Sequence, residues 1–275
     1  MTVVVKGDGS REEFEVSKLI GSLHHAGAET ILAEDIAERV SSGVTDGMST
    51  TEIYRNAFSL LRKGERATAA RYSMRRAILE LGPSGFPFED YISAVMRAKG
   101  YDVKTRVMVP GRCTEHEVDV VMSKGDRQIG AELKFHNTPG FKTDVKTALY
   151  VRARFWDIEW GAEDRKEASG IDEGWLITNT KFTTNALNYA SCAGITLLGW
   201  SYPHGAALRD MIRETGVYPV TVLTTLTKSE KARLIASGTT LCKTLSQDPE
   251  SLKRAGITGK KNEDIITECA SVCGV

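Results

Sequence analysis

The clearest pattern along the chain is an alternation of apolar and polar residues over 115–136. Apolar residues occupy every second position on both sides of a Lys-Gly-Asp turn at 124–126. Side chains on a strand change face at every residue, so the pattern predicts a β-hairpin with one apolar face. The opposite face carries Asp119, Glu132 and Lys134.

Helical and strand patterns alternate around this hairpin. Apolar positions at helical spacing predict a helix ending at Gly100, and a strand follows over 101–109. After the hairpin the predicted order is helix, strand, helix, strand, over 143–158, 173–180, 183–194 and 195–200. This order favours an α/β sandwich with a mixed sheet and helices on its faces.

The chain before this region has a different pattern. Two short strands flank a Gly-Asp-Gly-Ser turn, and four predicted helices follow. The first helix begins at Lys18, and the other three cover 33–43, 51–64 and 66–81. Ser17 is the expected cap of the first of these helices, and Thr50 or Thr51 that of the third. A Gly-Pro-Ser-Gly linker follows at 82–85.

The chain after the predicted sandwich reads as a helical tail. Helices interrupted at Gly and Pro positions continue to its end. We therefore predict three segments: a small α+β domain at 1–83, the α/β sandwich at 84–205, and the helical tail at 206–275.

Composition sets broad limits on this protein. Its 275 residues are 41% apolar and 26% charged, as in an ordinary globular protein. The sequence has no apolar run of about 18 residues and no signal-peptide layout, so we expect an intracellular, cytoplasmic protein without a membrane partner. The five cysteines, an odd number, are expected to be free thiols.

Total charge does not indicate a polyanionic partner. The chain has 36 basic and 36 acidic residues and a formal net charge of zero. A polyanion is bound by a local basic patch, so the balance does not exclude nucleic acid either.

The first 82 residues resemble the ATP cone, a regulatory nucleotide-binding domain of ribonucleotide reductases and their transcriptional repressor. The resemblance rests on "VVKGDGSREEF", "VSKL", "TDGMSTTEIY" and "AARYSMRRAI", although Gly7 stands where the family usually has arginine. It implies that ATP or dATP binds as a regulatory ligand at Lys6, Glu12, Lys18 and Thr50. Lysines neutralise phosphates, and a carboxylate accepts from ribose or helps to hold a metal. Without the resemblance, these lysines would be interpreted as solvated.

Residues 85–202 resemble the Mrr-like branch of the PD-(D/E)XK restriction endonucleases. The motifs are "FEDYISAVMRAKGYDV", "EVDVV", "AELKFH" and "WLITNTKFTTNALNYASCAGITLLGW", and this chain has Glu-x-Lys where the branch commonly has Gln-x-Lys. The resemblance implies catalytic roles for Glu89, Asp119, Glu132 and Lys134. It also implies Mg²⁺ or Mn²⁺ bound by Asp119, Glu132 and the carbonyl of Leu133.

Each neighbour of this motif has two interpretations. Glu117 either assists metal binding or is solvated, and His136 either touches phosphate or is an ordinary hydrogen-bonded histidine. His116 points to the other face and is expected to pack or support a turn. Basic residues of the next helix, including Arg152 and Arg154, either meet phosphates or form a solvated face.

The sequence predicts a metal-dependent endonuclease that is regulated by an adenine nucleotide and acts on nucleic acid, with double-stranded DNA as the expected substrate. A homo-oligomer is compatible with this. The tail loosely resembles a helix-hairpin-helix at 249–270, and a helical cap or dimerisation element fits equally well. Two alternatives stay open: a nucleotide-responsive DNA-binding regulator with a non-catalytic nuclease fold, and a structural assembly whose charged face is only solvated.

Overall fold

The chain folds into two compact units in the computed structural model, which describes residues 2–138, 140–166 and 170–274. The first unit combines Met1–Leu81, Thr138–Gly140 and Tyr218–Val275, and the second combines Gly82–Asn137 and Phe141–Val217. The last part of the chain therefore belongs to the same unit as the first eighty residues.

The first unit begins with an antiparallel hairpin and continues with helices. The hairpin strands are β1 (Val3–Val5) and β2 (Arg11–Glu13). The helices that follow are α1 (Val16–His25), α2 (Thr30–Ser41), α3 (Thr50–Gly64), α4 (Arg66–Tyr72) and α5 (Met74–Leu79). Their apolar faces enclose a core that includes Leu23, Ile36 and Leu61.

Several predicted helix ends are corrected. Helix α1 begins at Val16 after Glu15, so Ser17 is not its cap, and Ser49 rather than Thr50 or Thr51 caps α3 by accepting from the N–H of Glu52. The predicted helix over 66–81 is split at Ser73, whose hydroxyl donates to the carbonyl of Ala70 at 2.8 Å. A serine hydroxyl that donates to a nearby backbone carbonyl offers an alternative to the regular hydrogen bonds of the helix.

The second unit is the predicted α/β fold. Its elements are α6 (Phe86–Ala98), β3 (Asp102–Pro110), β4 (Glu115–Lys124), β5 (Arg127–Lys134), β6 (Lys142–Thr143), α7 (Val145–Arg165), β7 (Glu173–Thr178), β8 (Lys181–Phe182), α8 (Thr184–Ala193), β9 (Ile195–Leu198) and α9 (Leu208–Thr215). Within the described residues a five-stranded sheet has the order β3-β4-β5-β7-β9. The pairs among β3, β4 and β5 are antiparallel and those among β5, β7 and β9 are parallel, which confirms the mixed sheet.

Helix α7 covers the face of the sheet that carries Asp119 and Glu132. Gly130 lies on that face, two residues before Glu132, and is paired with Gly174 of β7. A Cβ atom at either glycine would come within 2.4–2.7 Å of the ring of Phe155, a residue of α7. The two glycines thus let α7 approach the sheet closely, and the acidic face of the hairpin is partly buried rather than solvated.

The tail packs against the helices of the first unit. It contains a 3-10 helix (Val220–Val222) and the helices α10 (Lys228–Ala236), α11 (Cys242–Gln247), α12 (Glu250–Arg254) and α13 (Lys261–Cys273). Arg71 of α4 donates to the carbonyls of Ala26 and Val272, at 3.0 and 3.4 Å. In the part of the chain that is described, no helix combines the length and the apolar character needed to cross a membrane.

Candidate active site

Strands β4 and β5 bring the predicted acidic residues together. Val120 pairs with Ala131, so Asp119 and Glu132 come one step further along the two strands on the same side. The carboxylate of Asp119 accepts a hydrogen bond from the N–H of Leu133 at 2.7 Å. Lys134, the last residue of β5, is exposed and interacts electrostatically with both acids.

Glu89 of α6 joins this group and is held by Arg106. The guanidinium of Arg106 lies 3.2 Å from Glu89 and 3.1 Å from Asp90. Arg106 sits in β3 between residues that pair with Val118 and Val120, yet it is itself unpaired and has a left-handed φ of 53°. A non-glycine residue in this region costs about 1–3 kcal/mol and is common at functional sites.

Arg154 of α7 forms an ion pair with Glu132. It also donates to the carbonyl of Glu117 at 2.9 Å and to the hydroxyl of Tyr150. The side chains of Arg154 and Glu132 are only 11% and 15% exposed, so water screens this pair much less than it screens a surface pair. Of the two interpretations of this arginine, the solvated helix face is therefore wrong.

The carboxyl groups of this cluster hold their protons more tightly than free ones. Burial raises the pKa of Glu132 to about 7, and the neighbouring Asp119 adds to the shift while Arg154 opposes it. Burial also raises the pKa of Asp119, against the hydrogen bond from Leu133. The pKa of Glu89 is raised by burial and by Asp119. Acids that disfavour each other's charge in this way create a site where a cation binds favourably.

A buried polar network fixes the end of β5. The hydroxyl of Thr178 donates to the carbonyl of Lys134 at 2.7 Å. Asn179 accepts from the N–H of His136 at 2.9 Å and donates to its carbonyl at 2.7 Å. Thr178 ends β7, the parallel neighbour of β5, and Asn179 follows it; both residues hold the backbone that presents Lys134.

The histidines near the motif have structural partners. The ring of His136 lies 3.1 Å from the hydroxyl of Thr143 and stacks on Phe141, and burial lowers its pKa. His116 pairs with Asp157 of α7 at 2.7 Å, so it has a structural partner. That partner belongs to the helix that covers the face of Asp119, so His116 does not point away from that helix as predicted. Glu117 is close enough to Asp119 to raise the pKa of that residue.

The donor set suits a hard divalent cation. Carboxylate oxygens such as those of Asp119 and Glu132 are the ligands that Mg²⁺ prefers. Among the described residues, no three His, Cys, Asp or Glu side chains already stand in a metal-binding arrangement. Arg154 holds Glu132, Arg106 holds Glu89, and Leu133 holds Asp119. The residues fit the metal once Arg154 releases Glu132, and the carbonyl of Leu133 stays a predicted ligand.

The predicted nucleotide residues also converge. Glu12 forms ion pairs with Lys6 at 2.5 Å and with Lys18 at 3.2 Å, and the hydrogen bond from Lys6 lowers its pKa. Val5 bridges to Ser49, so Lys6 and Thr50 come next to each other at the start of α3. The arrangement offers two ammonium groups and a helix N-terminus to one ligand.

One cavity outlined by described residues lies away from the acidic cluster. It has a volume of about 300 Å³ and is lined mainly by β3 and β4, including Lys104, Met108 and Val121. None of the acidic cluster lines it.

Sequence reasoning missed two arginines of the site. Arg106 was part of an ordinary predicted strand, and no neighbouring residue in the sequence indicates its left-handed backbone conformation. Arg154 was weighed only as one of several basic residues of α7. The signal that could have found it is its place next to Phe155, the residue that packs on Gly130 and Gly174.

Three family models match the chain. They are the ATP cone domain over residues 2–80, the restriction endonuclease domain over 82–212, and the C-terminal region of AF1548-like proteins over 218–273. The first two confirm the order of domains that the motifs predicted. A restriction endonuclease domain supports a nuclease or other DNA-acting role, and an ATP cone supports nucleotide binding.

Two proteins are similar to this chain over almost their whole length, and a third over less than half. An uncharacterized protein of Archaeoglobus fulgidus is 35% identical over 184 residues, which are 66% of this chain and 100% of that protein. The crystal structure of AF1548, a protein of unknown function, is 32% identical, covers 71% of this chain and 98% of its own, and has a TM-score of 0.55. The structure of MspJI restriction endonuclease in complex with a 27-mer oligonucleotide is 14% identical, covers 82% of this chain and 44% of its own, and has a TM-score of 0.32.

Proposed function

We propose, since this chain belongs to the AF1548-like family and joins an ATP cone to a restriction endonuclease domain, that it is a metal-dependent DNA endonuclease regulated by an adenine nucleotide. The observation that carries the proposal is the convergence of Glu89, Asp119 and Glu132 beside Lys134, with the pKa of each acid raised. A solvated surface would not raise all three.

In this proposal Asp119 and Glu132 hold Mg²⁺ or Mn²⁺, with the carbonyl of Leu133 as a further ligand. The metal, when bound, lowers the pKa of a water molecule and offsets the charge on the phosphate. Glu89 faces the same site from α6 and serves as an additional carboxylate. Arg106 keeps Glu89 in place through the 3.2 Å ion pair.

Lys134 acts on the attacking water in this proposal. Its ammonium group can orient the water and offset the charge that develops on the phosphate oxygens. The bond from Thr178 to its carbonyl supports this role, because it fixes the backbone from which the flexible side chain extends. Arg154 would give up Glu132 to a bound metal, and its guanidinium could then contact a DNA phosphate while it keeps its hydrogen bond to the carbonyl of Glu117.

The nucleotide site of the proposal consists of Lys6, Lys18, Glu12 and Thr50. The two lysines would leave Glu12 for the phosphates of ATP or dATP, and the freed carboxylate would accept from the ribose. Regulation requires that the nucleotide bind two states of the protein unequally. The proposal assigns the ATP cone a sensing role without hydrolysis.

Cleavage of supercoiled plasmid, methylated and unmethylated, and of single strands tests the proposal. The reactions contain Mg²⁺ or Mn²⁺, with and without ATP or dATP. We expect metal-dependent cutting that Lys134→Ala lowers at least about a hundredfold. Lys104→Ala, which removes an exposed lysine of β3, should cut like the wild type.

Nucleotide binding is measured separately by calorimetry. Lys18→Ala should weaken ATP binding, whereas Lys63→Ala, at an exposed position of α3, should not. If every substrate stays intact while DNA and nucleotide still bind, the protein is a nucleotide-responsive regulator with a non-catalytic nuclease fold. If neither metal nor DNA binds, the acidic cluster is only structural.

A further inference from the structure

Helix α7 carries apolar residues on two opposite faces. One face packs on the sheet through buried residues such as Phe155 and Ile158. Ala153 and Trp156, each two positions earlier in the sequence, are exposed. Two residues correspond to a rotation of about 200° around a helix, so these positions lie almost opposite the sheet. A helix that is apolar on both sides has a second surface to cover.

The exposed face forms one continuous stripe, here called the α7 seam. Its members recur at alternating intervals of three and four residues, and all are exposed: Lys146, Leu149, Ala153, Trp156, Trp160 and Glu163. The three largest apolar members, Leu149, Trp156 and Trp160, are 46%, 40% and 46% exposed. This spacing is typical of helices that pack lengthwise on another helix, so a helix is the expected partner.

The rings of the seam are ordered before any partner binds. Trp156 and Trp160 are stacked, with their ring centroids 6.1 Å apart and their planes at 6°. The guanidinium of Arg152 lies 4.7 Å from the centroid of the Trp156 ring and is held by Glu159 at 3.4 Å. Side chains that are already fixed lose little conformational freedom on association.

The seam is complementary in size to a second copy of itself. Two copies of α7 that run in opposite directions, centred between Ala153 and Trp156, place Ala153 of one copy against Trp156 of the other. Leu149 then lies against Trp160 in the same way. A smaller side chain meets a larger one at each level, as knobs-into-holes packing requires.

The charges of the seam favour the same arrangement. Lys146 lies near the start of α7 and Glu163 near its end. The antiparallel pair brings Lys146 of each copy to Glu163 of the other. A parallel pair would place like charges together at both ends, which disfavours association, and would leave Ala153 against Ala153.

We propose that the protein forms a two-fold symmetric homodimer through antiparallel packing of two α7 seams. Each copy uses the same surface, as in other isologous dimers. One helix pair buries less than the roughly 1,200–2,000 Å² of a stable interface, so the expected dissociation constant is micromolar. The inference goes beyond the proposed function and does not depend on it, because no residue of the seam belongs to the acidic cluster.

Sedimentation equilibrium of the full chain at low salt, from about 1 to 200 μM, tests the dimer. Trp160→Glu should weaken dimerisation at least about a hundredfold, because two aromatic anchors are lost per dimer. Leu149→Glu should also weaken it. Ile31→Glu changes an exposed apolar residue of α2 and should dimerise like the wild type. Far-UV circular dichroism shows whether each variant folds.

Crosslinking tests the direction of the helices. Cys113→Ser and Cys192→Ser first remove the two exposed cysteines. Lys146→Cys mixed with Glu163→Cys should give a disulfide between the two chains on oxidation, assigned by peptide mapping. Lys146→Cys alone should not, because two copies of this position lie about 25 Å apart in the antiparallel pair.

Charge reversal tests the register. Lys146→Glu and Glu163→Lys should each weaken the dimer about threefold to tenfold at low salt, because like charges then meet at both ends. The double variant Lys146→Glu/Glu163→Lys should dimerise like the wild type, since it exchanges the two charges.

Three results would overturn the inference. One is a monomer at every concentration. Another is a dimer that Trp160→Glu leaves intact, since the interface would then lie elsewhere. The third is a disulfide between two chains of Lys146→Cys, which would show a parallel pair. A monomer whose binding to a DNA duplex is weakened by Trp160→Glu would assign the seam to DNA instead.

Discussion

At the scale of single residues, the candidate site depends on which cation neutralises Glu132. In the structure that cation is the guanidinium of Arg154, held additionally by the carbonyl of Glu117. A divalent metal needs the same carboxylate oxygens. In the proposed function Arg154 would therefore compete with the metal for Glu132, and its removal should change metal affinity directly.

Arg154→Gln should bind Mg²⁺ about tenfold or more tightly at pH 8.5, because a charge-assisted hydrogen bond contributes about 1.5–3 kcal/mol. Isothermal titration calorimetry without DNA measures this. The high pH matters because the substitution removes the positive charge of Arg154, which lowers the pKa of Glu132. At a lower pH, protons would compete with Mg²⁺ for this carboxylate. Arg127→Gln, which breaks the exposed pair with Glu173, is the matched control. Unchanged or weaker Mg²⁺ binding would contradict the competition.

The raised pKa of Glu132 predicts the direction of pH dependence. A protonated carboxyl group is a poor metal ligand, so deprotonation must precede binding. With a pKa of about 7, Glu132 should gain Mg²⁺ affinity from pH 6 to 8, by up to about tenfold per pH unit on the acid side, and then level off. Glu132→Gln should bind weakly at every pH, and Glu115→Gln should follow the wild type. Affinity that is constant over this range would show that Glu132 does not bind the metal.

At the scale of elements, the distance of α7 from the sheet decides whether Arg154 reaches Glu132. Gly130 and Gly174 lie side by side on β5 and β7, and the ring of Phe155 fills the space that their missing side chains leave. Interiors are packed too densely to take an extra methyl group at no cost. The glycine pair is thus a structural requirement of the site.

Gly130→Ala should destabilise the second unit by about 1–3 kcal/mol, because its Cβ would lie 2.7 Å from the Phe155 ring. Urea unfolding followed by tryptophan fluorescence measures this, since Trp156, Trp160, Trp175 and Trp200 all lie in that unit. Adding Phe155→Leu should recover part of the loss. Gly21→Ala, at an open position of α1, should leave the transition in place.

At the scale of the whole molecule, the two ends of the chain form one unit. Arg71 links the carbonyls of Ala26 and Val272, and Lys231 of α10 lies 3.7 Å from Glu80 and donates to Thr221 at 2.6 Å. The tail is therefore part of the support of the ATP cone, and a change in the tail should alter the stability of the cone.

Arg71→Ala should open α4 and α13 together. It leaves buried carbonyls without a donor, which costs about 1–3 kcal/mol and corresponds to a roughly tenfold loss of protection from amide exchange. Hydrogen exchange with mass spectrometry reads both helices in one experiment. Arg66→Ala, an exposed position of the same helix, is the control. Loss of protection in α4 alone would mean that the tail and the cone are stabilised separately.

The sequence by itself determined the order of elements and the identity of both domains. The alternation with a period of two predicted β4 and β5, with Asp119, Glu132 and Lys134 on them. Side chains two residues apart on a strand point to the same face, whatever the rest of the chain does. The glycine turns and the motifs of the ATP cone are local in the same sense. Helix ends were less accurate, since Thr50 and Thr51 could have capped α3 as well as Ser49, and the hydrogen bond of Ser73 to Ala70 leaves no mark in the helical pattern.

Only the tertiary structure decided what surrounds these residues. The ion pair of Arg154 with Glu132 and that of Arg106 with Glu89 join residues that are far apart in sequence. Burial under α7 raises the pKa of Glu132. The periodic pattern of the sequence does not predict that a helix covers this residue. The sequence specified the chemical groups of the site, and the packing of distant elements set their charge, their partners and their access to solvent.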